Sequence, residues 1–164
     1  MIRHPIPPLY DEHSGILILG SFPSVKSRET AFFYGHPQNR FWKVLSRVLE
    51  APTPETIPEK REFLLSHGVA VWDVIASCEI RGSSDASIRN VVPNDLTNIL
   101  DTGKIRQVYV NGQTAGRLYR KYQEKALCEA YGDCARAVVL PSTSPANAAW
   151  TLEKLCDAWS VIRE

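Results

Sequence analysis

Ile16-Leu17-Ile18-Leu19-Gly20 is an unbroken apolar run, entered from the turn-forming Glu12-His13-Ser14-Gly15 and left through Ser21-Phe22-Pro23-Ser24. A strand with one wet face alternates apolar and polar residues. A run with no polar position suits a strand covered on both faces, as in a parallel sheet. Three later runs have the same character: Val69 to Val74 after Gly68, Gln107 to Asn111 stopped by Gly112, and Ala137 to Leu140 stopped by Pro141. Around them apolar residues recur at helical spacing. Pro37 to Leu49 puts Phe41, Val44, Leu45 and Val48 on one face, and Ala146 to Ile162 does the same with Leu152, Leu155, Cys156, Trp159 and Ile162. Pro58 to His67, Asn94 to Leu100 and Gln113 to Leu127 read as further helices, with Asn94 or Asp95 a cap for the second. This alternation predicts a three-layer α/β/α fold around a four-stranded, mainly parallel sheet. No repeat or linker interrupts it, so residues 1–164 read as a single domain.

The chain has 164 residues, 44% hydrophobic and 23% charged, which is ordinary globular composition. A chain of this size buries roughly 70% of its unfolded surface, so its core needs no metal or disulfide. Nineteen Lys and Arg against eighteen Asp and Glu leave a net charge of +1. That excludes nucleic-acid binding through global charge, but not through a local basic face. The apolar runs fall far short of the ~20 residues of a spanning helix. Met1 to Pro8 is broken by prolines and has no signal-peptide core. Cys78, Cys128, Cys134 and Cys156 are scattered without a close pair, which reads as reduced thiols in a cytoplasmic protein rather than a metal site.

In an open α/β sheet, ligands bind beyond the carboxyl ends of the strands. Those ends lead into Gly20 to Ser24, then Phe32 to Trp42; into Asp73, then Arg81 to Asp85; into Asn111-Gly112; and into Pro141 to Asn147. Their hydroxyls, amides and backbone N–H groups suit phosphate oxygens, and Lys26, Arg28, Arg40 and Arg81 supply charge. Phe32, Phe33 and Tyr34 offer flat faces for a base. Prolines at both ends stiffen Pro141-Ser142-Thr143-Ser144-Pro145, which suits insertion into a duplex. Each feature also has a plainer reading. The last, taken alone, is more often a helix N-terminal turn, with Ser144 a cap and Pro145 at the first helical position, and aromatic triplets are usually core. Together they favour a nucleotide-handling cleft.

Gly20-Ser21-Phe22-Pro23-Ser24, then Tyr34-Gly35-His36-Pro37-Gln38-Asn39-Arg40-Phe41-Trp42-Lys43-Val44, then Pro141 to Asn147, in this order and at strand ends, resemble the uracil-DNA glycosylase superfamily. The hypoxanthine-DNA glycosylase branch is the most similar. The resemblance implies a base flipped into a pocket and hydrolysis of its N-glycosidic bond, with deaminated DNA as partner, no metal and no cofactor, in a monomer. It implies catalysis by Asn39 and stacking by Tyr34, in a base pocket completed by Ser21, Phe22, His36 and Asp73. It further implies DNA contacts by Ser24, Lys26, Arg40, Ser142, Thr143, Ser144 and Asn147.

Two departures stand out. The uracil-specific branch has a water-activating Asp where Phe22 stands, and an anion-steadying His where Leu140 stands. Asn39, the catalytic residue that the resemblance implies, is then the best candidate: its carbonyl can orient water and its NH₂ can donate to a developing anion. The same residue can instead cap the helix that follows. His36 reads as a donor or as a structural hydrogen-bonder. Asp73 reads either as an acceptor for the lactam N–H of hypoxanthine or uracil, or as a buried acid paired to a backbone amide or Arg. Two rivals remain open: a serine hydrolase with Ser21 as nucleophile and His36 as base, lacking the Gly-x-Ser-x-Gly elbow, and a non-catalytic nucleic-acid-binding module. Lys26 stays open as a lyase nucleophile.

Overall fold

All four apolar runs form strands. In the computed structural model, which describes residues 1–163, the chain runs through β1 (Ile2–Arg3), β2 (Ile16–Gly20), α1 (Val25–Thr30), α2 (Phe41–Val48), α3 (Ile57–Ser66) and β3 (Val69–Asp73). It continues through β4 (Ile75–Glu79), β5 (Arg89–Pro93), α4 (Thr97–Leu100) and β6 (Gln107–Asn111). The last elements are α5 (Gln113–Tyr119), α6 (Lys125–Tyr131), β7 (Val138–Leu140) and α7 (Leu152–Trp159). The main sheet has the order β3-β2-β6-β7, with every neighbouring pair parallel.

Alternate residues of β2 explain why it has no polar position. Ile16 and Ile18 pack with Phe41, Leu45, Leu64, Leu155 and Trp159 on one face. Leu17 and Leu19 pack with Leu96, Ile99, Leu118 and Tyr119 on the other. Both faces are dry, each fully buried side chain contributing ~1.5–3 kcal/mol, so neither can carry a polar residue cheaply. The three layers expected from the sequence are present.

A second, three-stranded antiparallel sheet, β1-β4-β5, was not legible in the sequence. Ile75–Glu79 and Arg89–Pro93 mix polar and apolar residues, and their register shifts twice, so no strand period shows. This sheet places the N-terminus. Ile2 pairs with Cys78 and Arg3 with Ser77, and the His4 N–H donates to the Ala76 carbonyl at 2.7 Å. Because β4 begins two residues after β3 ends, that pairing carries His4 to the end of β3.

Four helix boundaries differ from expectation. The helix expected from Asn94 begins at Thr97, with Leu96, not Asn94 or Asp95, at the N-cap position. The helix expected from Pro37 begins at Phe41, because residues 37–40 turn around Asn39. The helix expected from Ala146 begins at Leu152, where Thr151 Oγ1 accepts the Lys154 N–H at 3.2 Å. Pro145 therefore sits in a loop and not at a first helical position. The helix expected over Gln113 to Leu127 extends to Tyr131 through a π-helical segment at Arg120–Glu124. Among the described residues no helix is long and apolar enough to cross a membrane.

Candidate active site

The carboxyl ends of the main sheet open into a cavity of about 320 Å³, at the small end for ligand sites. Its walls are Gly20 to Ser24, Tyr34, His36, Asn39, Asp73, Asp85, Asn111 and the loop from Ser142 to Ala146. Four strand-end segments far apart in sequence thus meet at one place, as the parallel topology requires.

Asp73 and Tyr34 meet Gly20 on the inner wall. Asp73, 4% exposed, accepts a 2.7 Å hydrogen bond at Oδ2 from His4 Nε2. His4 Nδ1 in turn accepts the Ile6 N–H at 3.1 Å. A backbone N–H can only donate, so the ring proton lies on Nε2 and points at the carboxylate. The Asn94 side chain braces the main chain here, donating to the Asp73 and Ile75 carbonyls at 2.9 and 3.1 Å. A Cβ on Gly20 would lie 2.4 Å from Asp73 Oδ1 and 3.2 Å from the Tyr34 hydroxyl. Only glycine lets both approach.

Tyr34 is held in the left-handed region, φ 51°, a conformation that costs an aromatic residue about 1–3 kcal/mol and collects at functional sites. Its ring lies on Phe41 with centroids 3.9 Å apart, and its carbonyl accepts from Trp42 Nε1 at 3.2 Å. The hydroxyl is buried with no hydrogen-bond partner of acceptable geometry among the described residues. Burial, then the charge of Asp73, raise the phenol far above its ordinary value, while the Asn111 side chain offsets part of this. Tyr34 is therefore a permanent O–H donor without an acceptor. Such a group normally has a partner when a site is filled.

Asn39 is wired into the opposite wall. Its Oδ1 accepts the Phe41 N–H at 2.9 Å and the Thr143 hydroxyl at 2.8 Å. Thr143 Oγ1 accepts from Asn111 Nδ2 at 3.0 Å, and the Thr143 N–H donates to Asn111 Oδ1 at 3.1 Å. Since the Phe41 N–H must donate, the orientation of the Asn39 amide is settled. Both lone pairs of its oxygen are used, so the expected role of that oxygen in orienting water is withdrawn. The NH₂ remains. Asn39 is thus a cap-like turn residue that also lines the cavity.

The mouth differs more from expectation. Ser21 Oγ donates to Asp85 Oδ1 at 3.0 Å and not to His36, whose Nδ1 accepts the Gln38 N–H at 3.1 Å. The Ser–His pair of a serine hydrolase is thus absent. Phe22 is buried edge-on to His4, with ring centroids 5.8 Å apart. Ser24 caps α1 by accepting the Ser27 N–H at 3.2 Å, and it lines the cavity. Lys26 is exposed and outside the cavity wall. Phe32 and Phe33 are buried, Phe32 stacking on Trp42 and Phe33 also lining the cavity.

Arg40 and Thr143 need correction as DNA-contacting residues. The Arg40 guanidinium donates to the carbonyls of Trp150, of Ser144 at 3.1 Å and of Asn147 at 3.0 Å, so it clamps the loop from within. Thr143 is 0% exposed and has no surface to offer a phosphate. Asn147 is also turned inward, its Nδ2 donating to the Ser142 carbonyl at 3.0 Å. Ser142 and Ser144 accept the N–H two residues ahead at 3.1 Å, stiffening the turn beyond what its prolines impose.

His4, Asp85 and Asn111 were not singled out as site residues from the sequence. Asn111 and Asp85 stood in strand-end segments but carried no local motif. His4 had no signal at all, because its place depends on a strand pairing 69 residues away from Asp73.

Fold and pocket together define an α/β protein with one small cavity, lined by hydrogen-bonding groups, at the carboxyl edge of a parallel sheet. Residues 7–163 match the model of the uracil DNA glycosylase superfamily, and the chain belongs to that family. A hypoxanthine DNA glycosylase from Methanosarcina acetivorans is 32% identical over 149 residues, 90% of this chain and 89% of that protein. Another from Methanosarcina barkeri is 30% identical over 118 residues, 71% of this chain and 75% of its own. The solution NMR structure of a candidate uracil DNA glycosylase from Methanosarcina acetivorans superposes with a TM-score of 0.81 at 29% identity, covering 99% of this chain and 96% of the other. The family is the one its motifs resemble.

Proposed function

We propose that this protein is a monofunctional DNA glycosylase that excises deaminated bases, hypoxanthine first and uracil second. The carrying observation is the pairing of a carboxylate acceptor, Asp73, with a partnerless hydroxyl donor, Tyr34, on the wall at Gly20. Deamination turns the adenine edge from N1 acceptor and amino donor into N1–H donor and carbonyl acceptor. Asp73 suits that N–H and Tyr34 suits that carbonyl. Adenine would set its N1 lone pair against a carboxylate, and cytosine its N3. Relatives described as hypoxanthine DNA glycosylases support the ranking.

Asn39 presents N–H donors to the electron pair that gathers on the departing base. Placement of charge-stabilising donors is what an oxocarbenium-like transition state needs most. Ser24, Ser142 and Ser144 remain the hydroxyls for the DNA backbone, with Lys26 as an exposed cation. We read the protein as a monomer in a reducing, cytoplasmic setting, a reading supported by its four free thiols. The test is a single-turnover assay on duplexes carrying hypoxanthine, uracil, xanthine, adenine or guanine, with alkali revealing abasic sites. Guanine shares the lactam edge and controls for pocket shape. Release of hypoxanthine and uracil but not adenine is expected; release of adenine at a matching rate refutes the edge reading.

A further inference from the structure

Hydrolysis needs a place for the proton of the attacking water, and neither Phe22 nor Asn39 can hold one. Two carboxylates line the cavity, Asp73 and Asp85. Asp73 is engaged on the inner wall by His4, where the base edge is read. Asp85 stands at the mouth, on the side where Gly20-Ser21 leaves the sheet. Its Oδ1 accepts the Ser21 hydroxyl at 3.0 Å, and Oδ2 makes no hydrogen bond among the described residues.

The loop carrying Asp85 is exposed yet tied down. The Val25 N–H donates to Ser83 Oγ at 2.9 Å, the Arg28 guanidinium donates to the Gly82 carbonyl, and Ser87 Oγ accepts the Arg81 N–H at 2.8 Å. These ties hold a carboxylate over the opening with one oxygen free, which is what positioning a reactant requires. Resting on the glycosylase reading above, we propose that Asp85 is the general base of the reaction, receiving the proton of the water that attacks C1′. The water oxygen forms the new bond to C1′, the C1′–N bond breaks with its electron pair on the base, and the water proton passes to Asp85. The base leaves as an anion facing the Asn39 donors and takes its own proton from solvent, to which Asp85 later returns the one it holds.

The electrostatics agree. Although the residue as a whole is exposed, desolvation around its carboxyl raises Asp85 above the usual carboxylate value. The Ser21 hydrogen bond lowers it, the like charge of Asp73 from β3 raises it, and Arg117 of α5 lowers it. Arg28 of α1 reaches the same loop only at the Gly82 carbonyl. A raised carboxyl is a better base near neutrality than one at its ordinary value of ~3.9. Activity that needs the ionised form therefore falls as pH drops through that raised value, earlier than an ordinary carboxylate would dictate.

The experiment follows single-turnover cleavage of a hypoxanthine duplex against pH for the wild type, Asp85→Asn, Asp85→Glu and Ser21→Ala. Binding to the same duplex with an uncleavable 2′-fluoro nucleotide, and the melting temperature, are measured in parallel. Asp85→Asn is expected to slow cleavage by about 10²–10⁴-fold and to abolish the acid limb, with binding and melting retained. Asp85→Glu should regain part of the rate, and Ser21→Ala should move the acid limb to higher pH. Cleavage by Asp85→Asn within a few-fold of wild type with the limb intact, or binding lost in proportion to rate, overturns the assignment and leaves the glycosylase reading standing. A wild-type protein that releases no base from any duplex removes both.

Discussion

Asn39 shows how one side chain can hold the fold with one end and, on the proposed reading, serve the reaction with the other. Its oxygen is spent on the Phe41 N–H and the Thr143 hydroxyl, leaving only N–H donors for the cavity. Asn39→Asp keeps an acceptor for both partners and removes the donors; Asn39→Ala removes everything. Both should lose about 10²–10³-fold in single-turnover rate, the value of one preorganised donor, while binding of an uncleavable duplex changes little. Melting should separate them, with the Asp variant closer to wild type because a carboxylate still serves the start of α2. A donor-free variant that cleaves normally excludes Asn39 from the chemistry. His4 invites a different test. His4→Ala leaves Asp73 buried without its donor, an expected loss of ~1–3 kcal/mol visible in thermal unfolding. It should also narrow the rate ratio of hypoxanthine to adenine, since nothing then fixes the carboxylate. Unchanged discrimination would show that Asp73 does not read the base.

At the scale of elements, the loop from Pro141 to Asn147 is stiffer than its two prolines alone explain. Arg40 holds it through the carbonyls of Ser144 and Asn147, and Ser142, Ser144 and Asn147 lock its turns. A rigid loop beside the cavity can occupy the space a flipped nucleotide vacates, where unstacking costs a few kcal/mol per step and least for a mispaired lesion. Replacing Ser142 and Ser144 by Gly, with the internal Thr143 untouched, should therefore slow cleavage of a stably paired duplex much more than that of a mispaired or single-stranded substrate. Single-turnover rates on the three substrates decide it. Equal losses on all three assign the loop to the chemistry or the fold and remove its intrusion role.

For the whole molecule, a net charge of +1 leaves little long-range pull on DNA. On the proposed reading, affinity comes from a few local contacts near the cavity, exposed Lys26 among them, and from the enclosed base. Binding of an uncleavable hypoxanthine duplex should then weaken with salt along a shallow slope. Each phosphate contact contributes about 0.9 to that slope in B-DNA, so a value of only a few is expected, against roughly 10 for an extensively charged binder such as lac repressor. Anisotropy titrations across a salt series measure it. A slope near the larger figure would reveal a basic surface elsewhere on the protein.

The sequence alone determined the parallel sheet, because burial on both faces writes itself into each run residue by residue. Ile16–Gly20 cannot be read as a half-wet strand. It also determined where the cavity lies, since strand order in an α/β sheet sends all the carboxyl ends to one edge, and it carried the motifs that mark the family. What it could not determine were the pairings. His4 with Asp73, Ser21 with Asp85 and Asn39 with Thr143 join residues 69, 64 and 104 positions apart. No periodicity or turn signal reports a contact at that range. The antiparallel sheet that delivers His4 is short, bulged and half exposed, so it leaves no apolar pattern. For the same reason Thr143 and Arg40 read as DNA-facing from composition, and only the folded chain shows both turned inward. Hydrophobic burial leaves a local record along the chain, whereas hydrogen-bond direction exists only between segments already packed.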